Sequence, residues 1–270
     1  MEYVSVQDIQ VPTLGLGTAQ MTGRTCREAV KTGLDIGYRH IDTAQMYDNE
    51  DAVGAAVTES SVDRGDVFLT TKINRGNQEY DDVLNSVEQS LERLETEYVD
   101  LLLIHAPSRT VPVEETIEAM NQLQEQDRVR HIGVSNFSVQ QTEEAVTASE
   151  TPIVTNQVKY HPFQSQNDLL EYCIENDVML TAYSPLARGE GADNDTLSEI
   201  GTRYDKTASQ VALRWLIQQE SVSAIPKASG RDHLEENIDV FDFDLTDGEM
   251  QQVFELQGGL IDRVRSALGL

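Results

Sequence analysis

The residues able to move protons or hold polar ligands recur in one setting, at the ends of short apolar, β-rich runs. Asp42 closes the run Arg39–Asp42, Lys72 follows Val67–Thr71, and His105 follows Val99–Ile104. Ser135 and Asn136 end Ile132–Ser135, and Gln157 stands near the end of Ile153–Val158. Tyr183 follows Val178–Ala182, and Lys227 follows Val222–Pro226. Tyr47 lies five residues past Asp42. A carboxylate, an ammonium, an imidazole and a phenol gathered in one place can exchange protons with a bound molecule. Hydroxyl and amide groups beside them offer paired donors and acceptors. The chain has only five Lys against fifteen Arg, and one of the five follows Val67-Phe68-Leu69, an unusual place for a surface side chain.

These residues need a scaffold that brings the ends of the runs together. With Leu14–Gly17, the runs number eight. Amphipathic stretches lie between them, among them Asp81–Leu94, Glu114–Gln126, Asp168–Asn176 and Thr207–Gln219. Val83, Leu84, Val87, Leu91 and Leu94 recur at three- and four-residue spacing and predict a helix with one apolar stripe. Strict alternation of strand and helix implies parallel strands covered on both faces. Eight such units in a chain of 270 residues predict an α/β fold of the (β/α)8 TIM-barrel type, forming one domain over residues 1–270. In that fold the chemistry sits at the C-terminal ends of the strands. An open doubly wound sheet is the alternative, but it would normally carry G-x-G-x-x-G. Gly15-Leu16-Gly17-Thr18-Ala19-Gln20 begins that pattern and lacks the third Gly.

Five segments, in order, resemble the aldo-keto reductase family. They are Gly37-Tyr38-Arg39-His40-Ile41-Asp42-Thr43-Ala44 with Tyr47 and Asn49-Glu50, and Tyr98–His105 with Pro107. Ile132–Phe137 follows, then Asn156-Gln157-Val158 with His161-Pro162, and then Ile225-Pro226-Lys227 with Glu236-Asn237. The resemblance spans nearly the whole chain. It implies a catalytic tetrad of Asp42, Tyr47, Lys72 and His105, and reversible hydride transfer between a nicotinamide and a carbonyl. The residue types suit that chemistry. A lone Tyr has a pKa of about 10 and exchanges protons poorly near neutrality. A neighbouring ammonium favours phenolate, so Lys72, anchored by Asp42, is expected to make Tyr47 a usable general acid. A neutral His105 is expected to orient and polarise the carbonyl oxygen.

The resemblance also implies the cofactor contacts. Ser135, Asn136 and Gln157 fall at the nicotinamide carboxamide, Tyr183 stacks on the ring, Ser184 and Leu186 reach the pyrophosphate, and Gly17, Thr18 and Ala19 line the floor beside Asp42. At the distal end Lys227, Ser229 and Arg231 would hold a ribose 2′-phosphate, with Glu236 and Asn237 at the adenine. Two positions depart from the commonest family pattern: Ala228 stands where a Ser usually follows the Lys, and His233 where an Arg is usual. Lys227 persists and Arg231 is near, so the expected cofactor is NADPH, with NADH usable. Substrate walls are expected from Met21, Tyr47, His105, Ala106, Asn136 and the C-terminal segment Gln257–Leu270. Two positions where the family often has Trp carry Ala106 and Asn74, so the pocket should be open and weakly selective. Small aldehydes are the expected substrates, with dicarbonyls, sugars and keto acids within range.

A net charge of −27, from 47 acidic and 20 basic residues, limits the partners. Such a surface repels phosphate backbones and anionic membranes, so neither nucleic acid nor lipid is an expected partner; the partner that the family resemblance implies is a small carbonyl compound. It also repels itself, which high salt would relieve, and a halophilic cytoplasm is the expected setting. Cys26 and Cys173 lack any metal-ligand spacing, so free thiols and no metal are expected. MEYVSVQDIQ is not a signal peptide and no apolar run reaches membrane length. A monomer is expected. Two other functions compete on the same scaffold: an NADPH-binding barrel acting as a redox sensor, and a metal-dependent barrel hydrolase. The second lacks an HxH or clustered ligand set.

Overall fold

Apolar runs with both faces covered make the barrel wall. The computed structural model describes residues 1–189 and 191–268, with side chains through Gln257 except those of Arg188 and Glu190. The first two strands, β1 (Tyr3–Val6) and β2 (Ile9–Pro12), form an antiparallel hairpin. The eight strands of the barrel follow: β3 (Leu16–Gly17), β4 (His40–Asp42), β5 (Phe68–Ile73), β6 (Val99–Ile104), β7 (Val129–Ser135), β8 (Ile153–Lys159), β9 (Met179–Tyr183) and β10 (Val222–Ile225). They are parallel and pair in sequence order. All six residues of β6 are buried, as a parallel strand covered on both sides requires. The helices between them include α1 (Gly23–Ile36), α2 (Glu50–Glu59), α3 (Tyr80–Arg93), α4 (Val113–Glu125), α5 (Val139–Ala148) and α6 (Asn167–Glu175). Then come α7 (Asp195–Tyr204), α8 (Ala208–Ile217), α9 (Arg231–Ile238) and α10 (Asp247–Leu268). Among the described residues no helix is long and apolar enough to cross a membrane.

The barrel closes between its first and last strands. Gly15 N donates to Ala224 O at 2.8 Å, Ala224 N to Thr13 O at 2.8 Å, and Gly17 N to Pro226 O at 3.0 Å. A side chain at Gly17 would put its Cβ 2.7 Å from the Ile225 carbonyl oxygen, so this crossing needs glycine. The barrel interior is filled in layers. The hairpin residues Val4, Val6 and Val11 pack on Leu101, Leu103, Val154 and Met179 at the N-terminal end. Further along the axis the fill turns polar. His40 Nε2 meets Thr70 Oγ1 at 3.1 Å, and the Thr155, Thr181 and Ser223 hydroxyls form a chain with spacings of 2.8 and 3.0 Å. Beyond that layer lies the C-terminal mouth.

The predicted strands and helices match the observed ones to within a few residues, and the differences have local causes. The run predicted from Leu14 pairs regularly only at Leu16–Gly17, because Leu14 makes an isolated bridge to Ala224 across the seam. Lys72 and Tyr183 lie within β5 and β9, not after them. Thr207 is the N-cap of α8, its hydroxyl accepting from Gln210 N while the Gln210 side chain reaches back, so the helix begins at Ala208. The hairpin was not anticipated. Gln7 and Asp8, at φ 49° and 63°, make its two-residue turn, and Gln7 is held by Asp177, whose Oδ2 accepts from Gln7 N at 3.0 Å.

Candidate active site

Strand parity points His40 and Asp42 of β4, Thr70 and Lys72 of β5, and Gln157 of β8 into the barrel. Lys72 and Asp42 are fully buried, at 0% and 1% exposure. Lys72 Nζ donates to Asp42 Oδ1 at 2.5 Å and to Thr43 O at 2.8 Å. Gln157 Nε2 donates to Asp42 Oδ2 at 2.8 Å, so both oxygens of the carboxylate are engaged. Burial acts against the Lys72 charge, but Asp42 and Tyr47 outweigh it and hold the ammonium above its ordinary range.

The Lys72 ammonium lies 5.0 Å from the centre of the Tyr47 ring. Tyr47 ends a single 3₁₀ turn, Gln45–Tyr47, which Asp48 closes in the left-handed region. Six hydrogen bonds fix this turn. Thr43 Oγ1 donates to Asn49 Oδ1 at 2.6 Å, and Asn49 Nδ2 donates to Thr18 O and Met21 O at 3.0 and 2.8 Å. Gln45 Oε1 accepts from Asn74 N at 2.8 Å and Asn77 Nδ2 at 3.1 Å, while its Nε2 donates to Ser90 Oγ at 3.2 Å. Burial pushes the Tyr47 phenol up, and Lys72 only partly opposes this. The expected drop below a free tyrosine is thus corrected: in this pocket desolvation of the phenolate outweighs the neighbouring cation, and Tyr47 holds its proton at neutral pH.

His105 follows β6, and its ring meets Tyr47 edge to face, with centres 5.7 Å apart and planes at 85°. Its Nδ1 is buried without a hydrogen-bond partner among the described residues. Burial and Lys72 bring the ring's pKa down to about 4. His40 is likewise brought to about 4, chiefly by burial. For both rings the unfolded chain binds the proton more readily, so their contribution to stability is full above pH 6.5 and is lost as pH falls toward 4. Imidazole NMR at about pH 5.5 should find both rings neutral. A cationic ring at that pH would contradict this reading.

The groups open into a cavity of about 510 Å³ at the barrel mouth. Asp42, Tyr47 and His105 line one part of it, with Ser135, Asn136, Gln157 and Tyr183 beside them. Ser135 Oγ donates to Gln157 O at 2.8 Å, and Asn136 Nδ2 donates to His105 O at 2.9 Å. Tyr183 Oη donates to Asn136 Oδ1 at 2.9 Å, which fixes the ring at the cavity's edge. Asn136 sits at φ 61°, a left-handed conformation that Asn tolerates better than most residues.

The Aldo/keto reductase family profile matches residues 13–257 of this chain. The chain belongs to the aldo/keto reductase family. It is 39% identical over 246 residues to the glyoxal reductase of Bacillus subtilis (strain 168), covering 91% of this chain and 88% of that one. Among solved structures it resembles a thermostable aldo-keto reductase crystallised with the inhibitor epalrestat, at 38% identity and TM-score 0.91, covering 95% of this chain and 100% of that one. It also resembles the Bombyx mori aldo-keto reductase in complex with NADP, at 31% identity and TM-score 0.87, covering 94% of this chain and 92% of that one.

Other predicted positions of this aldo/keto reductase divide into those on the cavity and those off it. Gly17, Ala19, Ser184, Leu186 and Lys227 line it. Thr18 lies beneath, its hydroxyl donating to Asp42 O at 3.0 Å. Two expected substrate walls are corrected. Met21 packs in the hydrophobic core, and Ala106 is buried with its carbonyl accepting from Gln78 Nε2 at 2.8 Å. The C-terminal wall lies, beyond Gln257, outside the described side chains. The distal set is at or near α9. Ser229 is exposed, Asn237 is buried, Arg231 pairs with Glu235 at 2.8 Å, and His233 faces Glu236 at 3.3 Å. Arg231 and His233 thus already have carboxylate neighbours. Gln20, Pro185, Ile225 and Pro226 line the cavity without having been singled out. Each adjoins a residue that was, and adjacency to a strand end was the available signal.

Proposed function

We propose that this aldo/keto reductase reduces small aldehydes and dicarbonyls to alcohols with NADPH, in a reversible reaction. The observation that carries the proposal is the Lys72 ammonium, buried between the Asp42 carboxylate and the Tyr47 ring beneath the cavity. The glyoxal reductase relative supports the substrate class, and the NADP complex of the Bombyx mori relative supports the cofactor.

The donor set fits a nicotinamide dinucleotide. A carboxamide needs one acceptor and one donor partner, and the hydroxyl of Ser135 and the amides of Asn136 and Gln157 share one wall. Tyr183 offers a ring face, and Lys227 is an exposed cation on the same cavity. When bound, the dinucleotide supplies the hydride. The protein's own part is proton transfer and placement. Tyr47 holds a proton at neutral pH and gives it to the carbonyl oxygen; in the oxidative direction it takes the proton back. Lys72 stabilises the phenolate left behind, and Asp42 keeps the ammonium charged and in place. The neutral His105 ring donates to the carbonyl oxygen and so sets the carbonyl's orientation.

The test is steady-state turnover of glyoxal and short aldehydes with each cofactor. The expected result is turnover with a higher kcat/KM for NADPH than for NADH. The preference rests on Lys227, since Arg231 and His233 already have acidic neighbours. A clear NADH preference would overturn the cofactor choice, and inactivity across the panel would overturn the reading.

The net charge of −27 supports a working environment of high salt, as in a halophilic cytoplasm. The unfolding midpoint is expected to rise steeply with KCl up to molar concentrations, where the screening length falls to about 3 Å. A midpoint independent of KCl would refute this.

A further inference from the structure

Most lysines and arginines with described side chains are paired with a carboxylate, and the positions of the six that are not are informative. Arginines on the helices and on the N-terminal side of the barrel are mostly paired: Arg27 with Glu59, Arg64 and Arg130 with Asp100, Arg93 with Glu50, and Arg214 with Glu2. Arg75, Arg109, Lys159 and Lys227 have no carboxylate partner among the described residues. All four stand at or just beyond the C-terminal ends of barrel strands, which is the mouth. The other two such cations are Lys31, on α1, and Arg39, which donates to the backbone carbonyls of Leu34 and Tyr38. Lys227 serves the proposed cofactor end, which leaves the opposite side to be explained.

Arg75 lies two residues past β5, on the segment leading to α3. Two features hold that segment beside the reacting groups. Ile73 O accepts from His105 N at 3.3 Å, which ties the end of β5 to the His105 backbone. Gln45, in the turn that carries Tyr47, binds Asn74 and Asn77 on either side of Arg75. The Arg75 charge is near enough to help keep His105 neutral. It is exposed and uncommitted in a molecule with many carboxylates to spare.

We infer that this site selects carbonyl substrates that carry a carboxylate, with Arg75 as the specificity-determining residue at the rim beside His105. The inference rests on the reductase reading above and adds the charge of its substrate. A guanidinium suits the task because its donors match a carboxylate's two oxygens. Molar salt screens long-range steering but not a contact pair, so the preference should come from direct contact.

The test compares succinic semialdehyde with butanal, an aldehyde of the same chain length without the charge, using NADPH at one fixed KCl concentration. In the unaltered protein kcat/KM favours the anionic aldehyde. In Arg75→Gln the ratio of the two kcat/KM values falls about tenfold, the loss expected for one charge-assisted contact. Arg75→Lys, which keeps the charge without the fork, recovers part of it. A ratio that stays constant, whether both values hold or fall together, overturns the inference while leaving carbonyl reduction standing. No turnover of either aldehyde by the unaltered protein removes the reductase reading and the inference with it.

Discussion

Tyr47→Phe lowers kcat for aldehyde reduction by about 10²–10⁴-fold, the range for loss of a positioned general acid. The substitution deletes one hydroxyl and keeps the ring that packs edge to face on His105. Folding stability should therefore change little, and NADPH binding, followed by quenching of protein fluorescence, should persist. The burial that raises the phenol's pKa makes the effect one-directional at neutral pH. The group is in its acid form before the substrate arrives, so what the variant loses is the donor itself. Activity within about threefold of the unaltered protein would show that the proton comes from elsewhere.

Lys72→Met combines a catalytic loss with a structural one. The side chain is fully buried and is the cation bonded to Asp42. Its removal strands a carboxylate that, among the described residues, retains only the Gln157 amide as a side-chain donor. Breaking a buried pair from one side typically costs about 3–5 kcal/mol, because the remaining charge is uncompensated. Chemical denaturation at high KCl should find a loss of that order, with reduction abolished. The double variant Asp42→Asn with Lys72→Met tests the cause. Neutralising both partners should recover much of the stability and none of the activity. If the double variant is as unstable as the single one, packing and not charge is responsible.

The strand ends were legible because a buried parallel strand must be apolar along its whole length, and a polar residue at its end is conspicuous. His105 after Leu101–Ile104 and Lys72 after Val67–Leu69 stand out for that reason, and the family resemblance then gave them partners. What was hidden depended on the third dimension. The Gln45 clamp joins residues 29 to 45 positions apart, and nothing local distinguishes this Gln from the chain's others. The hairpin has no Gly in its turn, since Gln7 and Asp8 take up the positive φ angles, so its usual marker was missing. The direction of the Tyr47 shift turned on the depth of burial, which strand order alone does not fix. Met21 and Ala106 were misplaced as walls for the same reason: each adjoins the site in sequence, but its side chain is turned into packing.

The hairpin that fills the N-terminal end of the barrel has a kinetic consequence. With that end stoppered by Val4, Val6 and Val11, dinucleotide and carbonyl must use a single doorway, the C-terminal one. Whichever of the two reaches deeper has to arrive first and depart last. Turnover should then follow a compulsory sequence, visible in product-inhibition patterns, and release of the inner guest becomes a natural bottleneck.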